Sequence, residues 1–117
     1  MKYDIIVAGV GGQGVLSISA VIAASAMNAG LHVKQSEEHG MAQRGGAVVS
    51  HLRLADSPIY SDLVPQAGAD LIISMEPLES LRYLNYLAPA GKVLTAGDPV
   101  VNFPGYPEIE KTIDALN

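Results

Sequence analysis

The chain contains no cysteine and no tryptophan, a single phenylalanine, and 7 Lys and Arg against 12 Asp and Glu. Each scarcity removes a class of function. Without cysteine there is no disulfide and no thiolate-held zinc or iron–sulfur cluster within the chain, so any redox metal it serves must sit on a partner. A net charge of −5 with no basic cluster argues against a nucleic-acid surface, which needs Lys and Arg in a stripe to neutralise phosphates. It argues equally against attachment to an anionic membrane. His32, His39 and His51 lack metal-ligand spacing, so no metal is expected. The most apolar stretch, residues 15–29, carries Ser17, Ser19, Ser25 and Asn28 and is too short to span a bilayer. No signal-peptide pattern is apparent, because Met1-Lys2-Tyr3-Asp4 leads directly into a β-type run. The expectation is a cytoplasmic protein with no nucleic-acid or membrane partner. Scarce aromatics leave Val, Ile, Leu, Ala and Met to build the core. At 49% hydrophobic residues over 117 positions there is enough for one packed domain.

What the sequence does contain is organised around residues 4–16, D-I-I-V-A-G-V-G-G-Q-G-V-L. Asp4 to Ala8 reads as a strand, Gly9 to Gly14 as a tight turn, and Val15 to Ala29 as a helix closed by Gly30. Gly9, Gly11 and Gly14 meet the G-x-G-x-x-G spacing, which lets a backbone reverse sharply and leaves helix N–H groups open to an anion. The turn therefore supports a nucleotide or phosphate site, with Glu37 or Glu38 as the acid for ribose hydroxyls. It equally supports a plain β-to-α turn, since the spacing alone is weak and the doubled glycine and Gln13 fit the fingerprint poorly. Ser17 and Ser19 could donate to a phosphate or bond locally.

Further along, Leu31 to Glu37 reads as a second strand that completes a β-α-β unit. Glu37 to Gly46, E-E-H-G-M-A-Q-R-G-G, has no apolar periodicity and reads as a shaped loop. His39 there can move a proton and Arg44 can hold a carboxylate or phosphate in a fork. The plainer alternative is that these side chains face water. Ala47 to Leu54 alternates as a strand, half exposed or at an edge, with His51 and Arg53 solvated or interfacial. Residues 56–58 form a turn and 59–68 an irregular connection. Ala69 to Met75 is a buried strand. Glu76-Pro77 opens a helix whose Leu78, Leu81, Leu84 and Leu87 carry it to Ala88, where Pro89-Ala90-Gly91 stops it. Lys92 to Ala96 is a strand, 98–107 an extended loop and Glu108 to Leu116 an amphipathic helix. The alternation implies an α/β, Rossmann-like open sheet, mostly parallel, with flanking helices in a single domain. There is no G-x-S-x-G nucleophile elbow and no P-loop lysine.

Two segments, 4–16 and Q-S-E-E-H-G-M-A-Q-R-G-G-A-V-V-S-H-L-R at 35–53, resemble the gamma-type domain of 2-oxoacid:ferredoxin oxidoreductases, most of all the beta subunit of the indolepyruvate type. The run D-L-I-I-S-M-E-P-L-E-S-L-R at 70–82 also resembles that family. The resemblance implies a subunit of an enzyme that oxidatively decarboxylates an aryl 2-oxoacid to an acyl-CoA and passes electrons to ferredoxin. It implies thiamine pyrophosphate and 4Fe-4S clusters on a large partner subunit, coenzyme A as co-substrate, and no cofactor held by this chain alone. It assigns no catalytic residue to this chain. It maps a pocket or interface lining onto Gly9, Gly11, Gly12, Gln13 and Gly14, and onto Glu38, His39, Gly40, Gln43, Arg44, Gly45 and Gly46. Family members usually continue past the helix ending at Leu116, so residues 1–117 are expected to be a gamma-type domain that is incomplete at its C-terminus. A stand-alone nucleotide-binding module is the alternative drawn from the glycine turn.

Overall fold

The structure, a computed structural model, describes residues 1–39 and 46–96. Its frame is a five-stranded sheet. β1 (Lys2–Val10), β2 (His32–His39), β3 (Ala47–Ala55), β4 (Ala69–Ser74) and β5 (Leu87–Thr95) are accompanied by helices α1 (Val15–Asn28) and α2 (Pro77–Arg82) and a 3₁₀ turn, Leu84–Tyr86. The sheet order is β2-β3-β1-β4-β5. β3 is antiparallel to both β1 and β2, whereas β4 runs parallel to β1 and to β5. Four strands therefore point one way, as a mostly parallel sheet requires, and β3 alone points back. The helical segment expected at 108–116 and the loop at 98–107 lie outside the described residues, as does the segment 40–45.

β1 is the central strand and reads as a near-continuous apolar run because both of its faces are covered. Ile5 and Val7 face α1, where they meet Val15, Ala23, Ala26, Val48, Leu52 and Leu54. Ile6 and Ala8 face the other way, toward Val49, Val64, Ala69 and Ile72, with Tyr83 and Tyr86 packed over them. Ile6, Leu52 and Ile72 are wholly buried, each contributing about 1.5–3 kcal/mol of transfer free energy. α1 turns a small-residue stripe, Val15, Ser19, Ala23 and Ala26, onto β1, β2 and β3. It ends in a Schellman motif. Gly30 takes φ +83°, its N–H donates to Met27 O at 3.0 Å, and Leu31 N–H donates to Ala26 O at 3.0 Å. The expected Gly30 cap is thus present.

Three expectations are corrected. β2 does not pair with β1, since β3 folds back into the space between them. β3 is consequently an interior strand, not an edge, and His51 is buried. Its imidazole stacks edge-on with Tyr86 at 5.6 Å between centroids, and its Nδ1 accepts the Val64 N–H at 3.1 Å. Arg53 is likewise engaged, its Nε donating to the buried Asp4 carboxylate at 3.0 Å. The helix after Glu76 ends at Arg82, well short of Ala88. Leucines repeating strictly every three residues drift around an α-helix, and the chain here tightens to i→i+3 bonds, Tyr83 N–H to Ser80 O and Tyr86 N–H to Tyr83 O. Pro89-Ala90-Gly91 then lies inside β5. The β4–β5 ladder jumps from Ala69↔Leu87 to Leu71↔Lys92, so two steps on β4 face five on β5, and the proline sits in this irregularity, where its missing N–H is harmless.

Candidate functional site at the carboxyl edge of the sheet

Because β1, β2, β4 and β5 run the same way, their carboxyl ends share one edge of the sheet, and β3 begins there. In open α/β sheets that edge, at the point where the chain reverses its direction of travel across the sheet, is where ligands bind. Here the reversal falls at β1, with β3 and β2 on one side and β4 and β5 on the other. The glycine turn sits directly on it.

The turn is held by Gln13. Its Oε1 accepts the Val10 N–H at 2.8 Å, and its Nε2 donates to Met75 O at 3.1 Å. The side chain thereby bridges the ends of β1 and β4 and fills the crevice between them. Gly9 lies at the end of β1 beneath this bridge, where a Cβ would meet Gln13 Oε1 and Val15 Cγ2 at 2.8 Å each. Gly14, the N-cap of α1, has φ +83°, and Gly12 has φ +91°, both in the left-handed region that disfavours a side chain. No side chain caps α1 and no acid occupies its first turn. The first N–H groups of the helix therefore remain available to an anionic group.

The second motif is joined to the first. Gly11 N–H donates to Gly46 O at 2.9 Å. The ladders continue the link, since Gly9 pairs with Val48 from one side and His39 pairs with the same residue from the other. Glu37, Glu38 and His39 belong to β2, not to a loop, which corrects the expected boundary. Gly40, Gln43, Arg44 and Gly45 lie outside the described residues. The intervening β3 also sets Glu37 and Glu38 two strand spacings, about 10 Å, from β1. That is a poor position for the ribose-binding acid of a dinucleotide fold, whose second strand neighbours the first. Ser17 is exposed, and Ser19 is turned into the interior with its hydroxyl unpartnered.

Sequence reasoning missed a set of buried polar groups beside this edge. Glu76 and Glu79 are each 1% exposed. Glu76 caps α2, its Oε2 accepting the Glu79 N–H at 3.1 Å. Glu79 Oε1 pairs with Arg82 Nε at 3.1 Å. Burial raises the Glu79 carboxyl above its usual range, Arg82 opposes that shift and Glu76 adds to it. Burial and the neighbouring Glu79 and Glu38 likewise raise the Tyr83 phenol, and Arg82 opposes them. Burial lowers His51, against the opposing fields of Glu38 and Asp62. Glu38 thus sends its field toward both His51 and Tyr83. The visible signal was the Glu76-Pro77-x-Glu79 cap, which marks a helix start but not a buried acid pair. A separate cleft of about 350 Å³ opens at the opposite edge, between Lys2, Arg53 and residues 57–61. Both of its cations already pair with Asp4. Among the described residues no group of three His, Asp or Glu converges to hold a metal, and no helix is long and apolar enough to cross a membrane.

An α/β domain with two glycine motifs joined at the carboxyl edge of its sheet is the class of protein that this geometry defines. Residues 4–116 match the family described as pyruvate ferredoxin/flavodoxin oxidoreductase, and the chain belongs to that family. It is 42% identical to indolepyruvate oxidoreductase subunit IorB of Archaeoglobus fulgidus, over 99% of this chain and 60% of that protein. It is 38% identical to the subunit of the same name from Pyrococcus horikoshii, over 97% of this chain and 60% of that protein. The chain thus spans about 60% of the length of these curated relatives. The gamma subunit of a keto/oxoacid ferredoxin oxidoreductase from Geobacter sulfurreducens superposes with a TM-score of 0.67 at 26% identity, over 90% of this chain and 56% of that one. The 2-oxoglutarate:ferredoxin oxidoreductase of Magnetococcus marinus, solved with 2-oxoglutarate, coenzyme A and succinyl-CoA, shares the fold with a TM-score of 0.71 at 22% identity, over 92% of this chain and 18% of that one.

Proposed function

We propose that residues 1–117 are the gamma-type part of an indolepyruvate-type 2-oxoacid:ferredoxin oxidoreductase, working inside a multi-subunit cytoplasmic enzyme and inactive alone. In the overall reaction an aryl 2-oxoacid loses carbon dioxide, the acyl group is joined to the sulfur of coenzyme A, and the released electron pair passes one electron at a time to ferredoxin. Thiamine pyrophosphate and 4Fe-4S clusters, held by a large partner subunit, supply the carbanion stabilisation and the electron path. The role of this chain is to wall the pocket. Gly12, Gly14 and the open start of α1 offer backbone N–H donors to an anionic group of substrate or coenzyme, and Gly11, whose own N–H is taken by Gly46 O, holds the turn in place. Arg44 clamps a carboxylate or phosphate through its planar fork. In this reading Glu38, His39, Gly40, Gln43, Gly45 and Gly46 belong to the pocket or interface lining together with Arg44.

The observation that supports this reading is the Gly11 N–H to Gly46 O bond, which ties the last residue of the second motif to the glycine turn. The test is co-expression with a large thiamine-dependent subunit, reading reduction of ferredoxin or a viologen dye that depends on both coenzyme A and the aryl 2-oxoacid. Omitting this chain is expected to abolish turnover. Arg44→Ala is expected to lower kcat/KM by about 100-fold, the order of a lost charge-assisted anion contact. Turnover unchanged by either manipulation would reject the proposal.

A further inference from the structure

Residues 56–68 pass from β3 to β4 without regular structure, on the side of the sheet that carries Ile6, Val49 and Ile72. Val64 is the one buried residue among them, and it belongs to the cluster those three form with Ala8 and Ala69. Two side chains of β3 tie this strap down. Arg53 Nη1 donates to Ser61 O at 3.2 Å and to Leu63 O at 3.3 Å. His51 Nδ1 accepts the Val64 N–H at 3.1 Å. Residues 57–66 make no other hydrogen bond to described residues outside the strap. The two attachments differ in kind. The Arg53 bonds are exposed, so water replaces them at little cost. The His51 bond is buried, and its ring nitrogen is an acceptor only while it carries no proton.

We propose that residues 57–66 form a pH-released strap: a proton on His51 Nδ1 turns the acceptor that seats Val64 into a donor, and the strap leaves the sheet while the sheet stays folded. The bond cannot survive that proton, because two N–H groups then face each other with no lone pair between them. The surroundings of the ring set the pH. Burial is the largest influence and holds His51 below its ordinary value of 6.5, while Glu38 of β2 and Asp62 of the strap pull the other way. Among the described residues, β3 itself adds Arg53, which is paired with Asp4 of β1, and Asp4 also pairs with Lys2. Asp70 of β4 accepts the Asp4 N–H. The helical side adds Tyr86, edge-on to the imidazole at 5.6 Å, and Tyr83 with Glu79 beside it. The strapped state thus prefers the neutral ring, whereas a released His51 in water binds a proton with ordinary affinity. Release is favoured as the pH falls below about 6.5 and disfavoured above it. It withdraws Val64 and opens the Ile6, Val49 and Ile72 side of the sheet to water. The cluster under α1, with Ile5, Val7 and Leu52, takes no residue from the strap, so it keeps the sheet together.

The experiment is amide hydrogen exchange of the 117-residue chain, read by NMR as protection factors at pH 7.5 and 5.5 and at several low urea concentrations. Val64 should be less protected than Ile6 and Val7 of β1 at both pH values. Its exchange should respond little to urea, because a strap exposes far less surface than the whole fold, whereas theirs should respond strongly. From pH 7.5 to 5.5 the Val64 protection should fall by up to about tenfold, the limit for one group whose open-state pKa is near 6.5. His51→Gln keeps an acceptor for the Val64 N–H and takes up no proton in this range, so it should remove that fall. Val64 protection unchanged between the two pH values overturns the inference. So does a Val64 amide that matches Ile6 in protection and urea response, since the strap then leaves only with the whole fold. A fall that persists in His51→Gln overturns it as well. Where that variant does not fold, the wild-type comparison decides by itself. The inference does not depend on the redox reading, and its failure would leave the turnover experiment unaffected.

Discussion

At the residue scale, the glycine turn is governed by a few close contacts. Gly9→Ala would place a methyl group 2.8 Å from both Gln13 Oε1 and Val15 Cγ2 and 3.2 Å from Met75 Cβ. The neighbours hold the Gln13 bridge and the first turn of α1, so the strain has little room to relax. A loss of about 1–3 kcal/mol is expected in urea unfolding. His51 gives the chain a pH response. Its folded pKa is lowered from 6.5 by burial, so the native state binds fewer protons than the unfolded chain once the pH approaches that value. Stability should therefore fall as pH drops below about 6.5. Protonation would also remove the Nδ1 lone pair that accepts the Val64 N–H. His51→Gln, whose amide oxygen can still accept that bond, should flatten the slope of unfolding free energy between pH 7 and 5.5.

At the scale of elements, α1 combines a good helix composition with one defect. Ser19 is fully buried on the sheet-facing stripe and its hydroxyl has no partner. Ser19→Ala removes an unsatisfied polar atom and improves helix propensity, so a gain of about 1 kcal/mol is expected in chemical denaturation. The helix and its caps were legible because they are local: the alanine-rich run, the Schellman glycine and the Glu76-Pro77 start each act within a few residues. The end of α2 was less legible. The leucine spacing favoured continuation, but the chain tightened into a 3₁₀ turn and entered β5 at Leu87, where pairing with Ala69 of β4 outweighed a weakly helical tail.

At the scale of the whole molecule, the decisive event is the insertion of β3 between β1 and β2. It buries His51, brings Arg53 onto the buried Asp4 carboxylate, moves Glu38 away from the glycine turn, and brings Gly46 back to Gly11. The test that operates at this scale is turnover of the reconstituted oxidoreductase, which is expected to be lost when this chain is omitted.

The sequence by itself determined the α/β class, the absence of any thiolate within these 117 residues to hold a cluster, the two glycine motifs and the family they resemble. All of these follow from composition or from interactions spanning a few residues. Only the tertiary structure decided that Gly46 bonds back to Gly11, that Gln13 fills the crevice between β1 and β4, and that Glu76 and Glu79 are buried. Strand order and burial depend on contacts between residues far apart in the chain, and the alternation of β3 reads the same for an interior strand with both faces covered as for an edge strand facing water.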